Sequence, residues 1–359
     1  MRQLTTKRVP EFDGLRGVAI CLVLAGHFGQ FSLHLNGLWT ACGEIGVLVF
    51  FVLSGFLITS LLCTEEESSS KGVDLRRFYV RRAFRLLPAA WMLIFTVAAL
   101  KAFGYVTDES WGGVGASLCY VRNIFGRGTT LAHLWSLSLE EQFYFIWPLV
   151  FVVVPRRRLR VAVAVVAATV ILRALGIGFG LADPKTGVFY LRPWFRFDSI
   201  MSGCVLALAR ERATWHFHLL SVWFSRIGHP LAAGLLLAVL SYFEWTRLLM
   251  PWCLSLETLV CTALLARLLS AKATGLQFIL RQRPLTFIGR ISYSIYLWQQ
   301  LFIVTKTPDW GWLRRPVLDM AFTVGCALVS WYFIERPFLR LKSRWGADSV
   351  TLAQPSAAC

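Results

Sequence analysis

The chain has 359 residues, 56% of them hydrophobic, with a formal net charge of +17 and a mean hydropathy of +0.58. The apolar residues run in long blocks separated by short basic stretches, which excludes a soluble globular domain and defines an all-α, polytopic membrane protein. The basicity does not signal nucleic acid: alternate connections carry 23 Lys and Arg on one side against 8 on the other, the positive-inside pattern that places both termini in the cytoplasm.

Ten spans are predicted, at 14–33, 44–63, 87–103, 133–154, 161–180, 194–209, 227–243, 248–270, 285–305 and 316–335. They form a single domain over 1–345, with 346–359 a disordered cytoplasmic tail, integral to the cytoplasmic (inner) membrane. No cleavable leader is evident, because the first segment is long, charged and lacks an Ala-x-Ala site. Nine scattered cysteines read as small packing residues. His216-x-His218 stands alone in a basic loop, and no metal is expected.

The first span carries Arg16 at its start and His27 near its middle, and ionisable residues inside a span are costly and mark functional sites. Eleven residues bring a helix round to within roughly 20° of its starting face, with a rise of about 16 Å. The two side chains therefore share one face, one near the membrane surface and one deep. In the second span, the Ser54-Gly55 pair of Phe50-Phe51-Val52-Leu53-Ser54-Gly55 allows close approach of another helix; Ser54 as a nucleophile lacks the Gly-x-Ser-x-Gly elbow.

The inner stretch Asp74–Arg85 holds five arginines within ten residues, more than orientation requires. Arg82 and Arg85, with an i,i+3 spacing, face one way on a helix and suit a phosphate group, together with Arg81. Anionic lipid headgroups and a phosphorylated cytoplasmic ligand both fit. The loop at 104–132 is rich in glycine, with room for a short interfacial helix near 117–122. The fourth span holds Glu140 and Glu141 side by side, about 100° apart, so only one can face a cavity.

Helix rise places His27 about 18 Å above the inner face, Glu140 about 21 Å, Asp198 about 16 Å and Gln299 about 21 Å. Four helices thus contribute polar groups to one mid-membrane layer, as a central cavity requires. Glu257 at similar depth reads as packing between helices.

These motifs occur together and in order: Asp13-Gly-Leu-Arg16-Gly with His27, Phe-Phe-x-x-Ser-Gly at 50–55, Arg-x-x-Arg at 82–85, Trp-Ser-Leu-Ser-Leu-Glu-Glu-Gln-Phe-Tyr at 135–144, Tyr293-Ser-Ile-Tyr-Leu-Trp298 and Glu335-Arg-Pro337. The chain, from residue 9 to about 341, resembles the acyltransferase-3 family of integral membrane acyltransferases. The resemblance implies about ten transmembrane helices that move an acyl group, usually acetyl, from coenzyme A to a hydroxyl. Acceptors in that family include surface polysaccharides, lipid-linked sugars, peptidoglycan and macrolides. Arg16 and His27 match its essential Arg–His pair, Arg82 and Arg85 its cytoplasmic arginine motif, and Glu140 its acidic position. Asp13, Ser54, Tyr296, Gln299 and Glu335 are expected to line or brace the cavity. Many relatives have a histidine where Gln299 and Gln300 follow Trp298, and glutamine cannot exchange protons. At this length the chain is not expected to carry the hydrolase-like domain fused to some members.

Acyl transfer to a hydroxyl needs a base and a donor for the oxyanion. His27 is the natural base, with Glu140 or Asp198 to orient it. Acyl-CoA would place its phosphates on Arg81, Arg82 and Arg85 and pass its thioester upward beside Arg16. A carbohydrate, glycolipid or macrolide acceptor would enter from the outer side; membrane lipids are the other partner. A transporter or flippase shares the helix count and the polar layer, but no inverted repeat is visible.

Overall fold

The computed structural model describes residues 9–31, 38–70, 72–180, 191–211, 250–270, 275–303 and 316–344. The predicted span at 227–243, the His216-x-His218 pair and the tail at 346–359 lie outside the described residues. Within these limits the chain is helical throughout, with no strand. The α-helices are α1 (Pro10–Phe31), α2 (Leu38–Ser68), α3 (Leu75–Ala102), α4 (Trp111–Leu118), α5 (Leu134–Val153), α6 (Arg158–Gly178), α7 (Phe197–Glu211), α8 (Met250–Ser270), α9 (Gly275–Leu280), α10 (Arg283–Arg290), α11 (Ser292–Ile303), α12 (Pro316–Ser330) and α13 (Arg336–Arg344). A π-helical turn, Trp331–Glu335, joins the last two.

Six helices among the described residues are long and apolar enough to cross a membrane: α1, α2, α3, α6, α8 and the α12–α13 segment. The span predicted at 285–305 is two helices, broken at Ile291. The break lets α10 lie across the start of α1 while α11 turns inward. There Gly289 presses on Asp13, and a Cβ at 289 would stand 1.7 Å from the Asp13 carbonyl oxygen. The arginine stretch is not a loop: α3 begins at Leu75, capped by the Asp74 carboxylate accepting the Arg77 N–H at 3.0 Å, a standard N-terminal stop.

Helices α1, α2 and α7 form the centre, with α5, α6, α8 and α11 around them. One core packs Phe51, Ile58 and Leu62 of α2 against Phe143, Trp147 and Phe151 of α5 and Ile200 and Cys204 of α7. Another packs Leu15 and Ala19 of α1 against Val52 and Phe56 of α2 and Leu265 of α8. In lipid such contacts act through shape and close packing, since the tails are as apolar as leucine. The α2–α7 crossing shows it: a Cβ on Gly55 would stand 1.9 Å from the Ile200 carbonyl oxygen, and one on Gly203 2.0 Å from that of Val52. The Ser54-Gly55 pair thus does what its composition suggests. Outward faces carry Ile171 and Leu172 on α6 and Val317, Phe322 and Val329 on α12, all exposed.

The connection at 104–132 is tightly built. Its helix, α4, lies upstream of the predicted position because the Ser110 hydroxyl caps it by accepting the Gly113 N–H at 2.9 Å. Arg122 meets Glu109 at 3.0 Å and donates to the Gly128 carbonyl at 2.8 Å. Burial pushes the Glu109 carboxyl above its usual range, opposed by Arg122 and by the N–H groups of Leu131 and Ser110.

Candidate active site

The site is a column of polar side chains contributed mainly by α1, α2, α3, α5 and α11, with Arg290 of α10 and Glu335 of the π-helical turn at its floor. Its lowest level is cationic. Arg16 Nη1 stands 3.8 Å from Asp13 Oδ1, and Arg290 Nε lies 3.9 Å from Asp13 Oδ2. Arg82 sits over two aromatic faces, 4.9 Å from the Tyr144 ring centre and 5.7 Å from that of Phe78, a geometry that favours a guanidinium. Arg85 lies within electrostatic reach of Arg16, Arg82 and Glu335. Glu335 ends the π-helical turn and accepts the Ser294 hydroxyl in a short contact. Arg81 turns away and pairs with Glu65 at 2.9 Å, so it does not join Arg82 and Arg85.

Above this floor, Ser54 donates to Glu140 Oε1 at 3.1 Å, and the Tyr144 hydroxyl stands 3.1 Å from Ser54 Oγ and 3.2 Å from Glu140 Oε2. Arg16 and Arg82 act on the Glu140 carboxylate electrostatically. Higher still, the Tyr296 hydroxyl donates to the His133 carbonyl at 2.7 Å and meets Ser136 Oγ at 2.5 Å.

The top level joins two histidines through two glutamines. His27 Nδ1 lies 3.1 Å from Gln299 Oε1, and Gln300 Nε2 lies 3.5 Å from His27 Nε2. Gln300 Oε1 in turn accepts the His133 backbone N–H at 3.1 Å and stands 3.0 Å from His133 Nδ1. His133 Nε2 faces the Leu297 carbonyl at 3.0 Å.

The single polar layer predicted from helix rise is therefore resolved into levels. Glu140 follows His133 by seven residues, about 10 Å along the axis, so it lies with Ser54, Tyr144 and the arginine floor and below the level of His27. Glu140 or Asp198 is the partner expected from the sequence to orient the imidazole; the side chain at hydrogen-bond distance from His27 Nδ1 is Gln299. Asp198 is turned elsewhere: it bonds Arg173 at 2.5 Å between α6 and α7, and Arg173 also donates to the Phe195 carbonyl at 2.8 Å and to Ser255 at 2.9 Å. Both side chains of that ion pair are almost fully enclosed. A buried guanidinium needs a counter-charge, and Asp198 supplies it. Glu257, read as packing, is buried on α8.

His133, Ser136 and Tyr144 were not singled out by sequence reasoning, yet the signal was present. His133, Ser136, Glu140 and Tyr144 follow at intervals of three, four and four, which is one face of a helix. A second face of α5 is apolar, with Phe143, Trp147 and Phe151 in the core, while Gln142 turns to Asn123 and to the Tyr120 carbonyl.

Fold and site together define a helical membrane protein that carries an internal polar column from a guanidinium cluster to an imidazole. The acyltransferase-3 family, described as an acyltransferase domain, matches residues 9–335, and the chain belongs to it. It is similar to the peptidoglycan O-acetyltransferase OatA of Listeria monocytogenes, 32% identical over 92% of this chain and 56% of that protein. It is also similar to the O-acetyltransferase OatA of Staphylococcus aureus, 29% identical over 94% of this chain and 58% of that one. The chain thus spans a little over half the length of these relatives. No solved structure matches it.

Proposed function

We propose that the chain transfers an acetyl group from cytoplasmic acetyl-CoA to a hydroxyl of a cell-envelope carbohydrate, with peptidoglycan the first acceptor to test because relatives are named for it. Lipid-linked sugars, other surface polysaccharides and macrolides are the remaining acceptors of the same chemistry. The observation that carries this reading is the polar column itself, which links Arg16, Arg82 and Arg85 to His27 through the interior of a lipid-embedded bundle.

In this reading Arg82 and Arg85 hold the coenzyme A phosphates, where guanidiniums suit phosphate oxygens. Arg16 lies at the entrance, one α1 face below His27, and the thioester reaches up past Glu140 and Tyr144. His27 takes the proton of the acceptor hydroxyl as that oxygen attacks the thioester carbonyl carbon. The carbon–sulfur bond breaks, and the imidazolium returns its proton to the departing thiolate. A positioned base of this kind contributes about 10²- to 10⁴-fold.

The test is release of free coenzyme A thiol by purified protein in lipid, supplied with acetyl-CoA and with or without peptidoglycan fragments. Acceptor-dependent thiol release with acetylation of the fragment supports the reading. Uptake of acceptor or donor into vesicles without thiol release would turn it toward transport.

A further inference from the structure

The amide groups at the top of the column bear on which nitrogen of His27 carries its proton. The His133 backbone N–H can only donate. The Gln300 atom it meets at 3.1 Å is therefore the oxygen, and the orientation of this amide is fixed by chemistry instead of by assignment. The Gln300 nitrogen is then turned toward His27, 3.5 Å from Nε2. An amide NH₂ also only donates, so Nε2 must present its lone pair. A neutral imidazole then bears its proton on Nδ1, and Nδ1 faces Gln299 Oε1 at 3.1 Å.

Reversing Gln299 would set a donor against each ring nitrogen and leave the imidazole no proton to carry. Gln299 thus spends its oxygen on His27, and its own nitrogen is left without a hydrogen-bond partner although the residue is wholly enclosed. Both glutamines sit on α11 immediately after Trp298, and both have polar atoms committed to the histidines of α1 and of the α5 start. Neither can gain or lose a proton.

We propose that Gln299 and Gln300, the latter anchored by the His133 backbone, are positioning residues that hold His27 as the Nδ1–H tautomer and make Nε2 the atom that takes the acceptor proton. The inference rests on the acyl-transfer reading for its catalytic meaning and on the hydrogen-bond chain for the tautomer. It also gives a use to two adjacent glutamines buried in the bundle interior. A group that only positions the base needs no protonation change of its own, and an amide serves. The acceptor hydroxyl would enter beside Nε2, the nitrogen that carries the lone pair in this tautomer.

The experiment records ¹⁵N spectra of the whole protein in lipid nanodiscs, with histidine imidazoles labelled and the His27 signals identified by their loss in His27→Gln. The expected result is a protonated, pyrrole-type Nδ1 and a lone-pair, pyridine-type Nε2. In Gln300→Leu and Gln299→Leu the two nitrogens should move toward averaged, mixed-tautomer positions. Thiol release should then show kcat lower by about ten- to a hundredfold with KM for acetyl-CoA unchanged. That loss is smaller than the ~10⁴-fold of a triad locked in the wrong tautomer, since a freed ring still samples the right one. A protonated Nε2 in the unmodified protein, or unchanged His27 signals in Gln300→Leu, would overturn the proposal. The spectra need no donor or acceptor, so failure of the acyl-transfer reading shows separately, as absence of thiol release by the unmodified protein.

Discussion

Removing the carboxylate of Asp198 distinguishes a structural ion pair from a catalytic acid. Arg173 and Asp198 meet at 2.5 Å with side-chain exposures of 0% and 2%, so Asp198→Ala leaves a guanidinium enclosed without its counter-charge. Its bonds to Phe195 and Ser255 remain, but those partners are neutral, and Glu257 acts on it only through space. Breaking one side of a buried pair costs about 3–5 kcal/mol, while replacing both sides by apolar residues of similar volume is often neutral. Asp198→Leu combined with Arg173→Met should therefore recover most of the stability lost in Asp198→Ala. The assay is denaturation in mixed lipid–detergent micelles followed by tryptophan fluorescence, alongside thiol release at a temperature where both variants are folded. The double variant should retain acetyl transfer. A folded double variant with no activity, or an Asp198→Ala variant as stable as the parent, would refute the structural assignment and return Asp198 to the chemistry.

Other expectations concern the column and its frame. His27→Gln should lower thiol release by about 10²-fold or more while the protein still binds acetyl-CoA, as measured by calorimetry. Arg82→Glu with Arg85→Glu should raise KM for acetyl-CoA or weaken its binding, whereas Arg81→Gln, which loses only the Glu65 pair, should change KM little; equal effects would remove the phosphate clamp. Gly55→Val should cost several kcal/mol through overpacking of the α2–α7 crossing, read as loss of folded protein in the same micelle assay, because a side chain there meets the Ile200 backbone at 1.9 Å.

Much of the site was legible because helix geometry is rigid. Arg16 and His27 lie on one unbroken helix, so residue spacing alone placed them on a shared face. Arg82 and Arg85 were found by spacing too, though the helix they occupy began earlier than hydropathy indicated, since Asp74 caps a polar first turn that an apolar window cannot see. Depth arithmetic was less secure. It measured Glu140 and Asp198 from predicted span ends, and neither the boundaries nor the rotation of separate helices follow from rise. Asp198 faces Arg173 because α6 and α7 pack side by side, a relation between helices that no spacing within one of them encodes. The break at Ile291 has a similar origin: Arg290 and Ser292 flank it in the sequence, but the contact that aligns α10 comes from α1.

The continuity of α1 from Pro10 to Phe31 has a mechanical result. Arg16 and His27 are fixed at opposite ends of a stiff rod about 16 Å long, so no local adjustment can shorten the interval or rotate one end alone. A single alanine inserted between them would swing the imidazole through about 100° and detach it from α11, while leaving every side chain of the original set in the protein. On the proposed acyl-transfer reading the rod acts as a gauge, suited to a ligand whose tip must project a set reach beyond its anchored end.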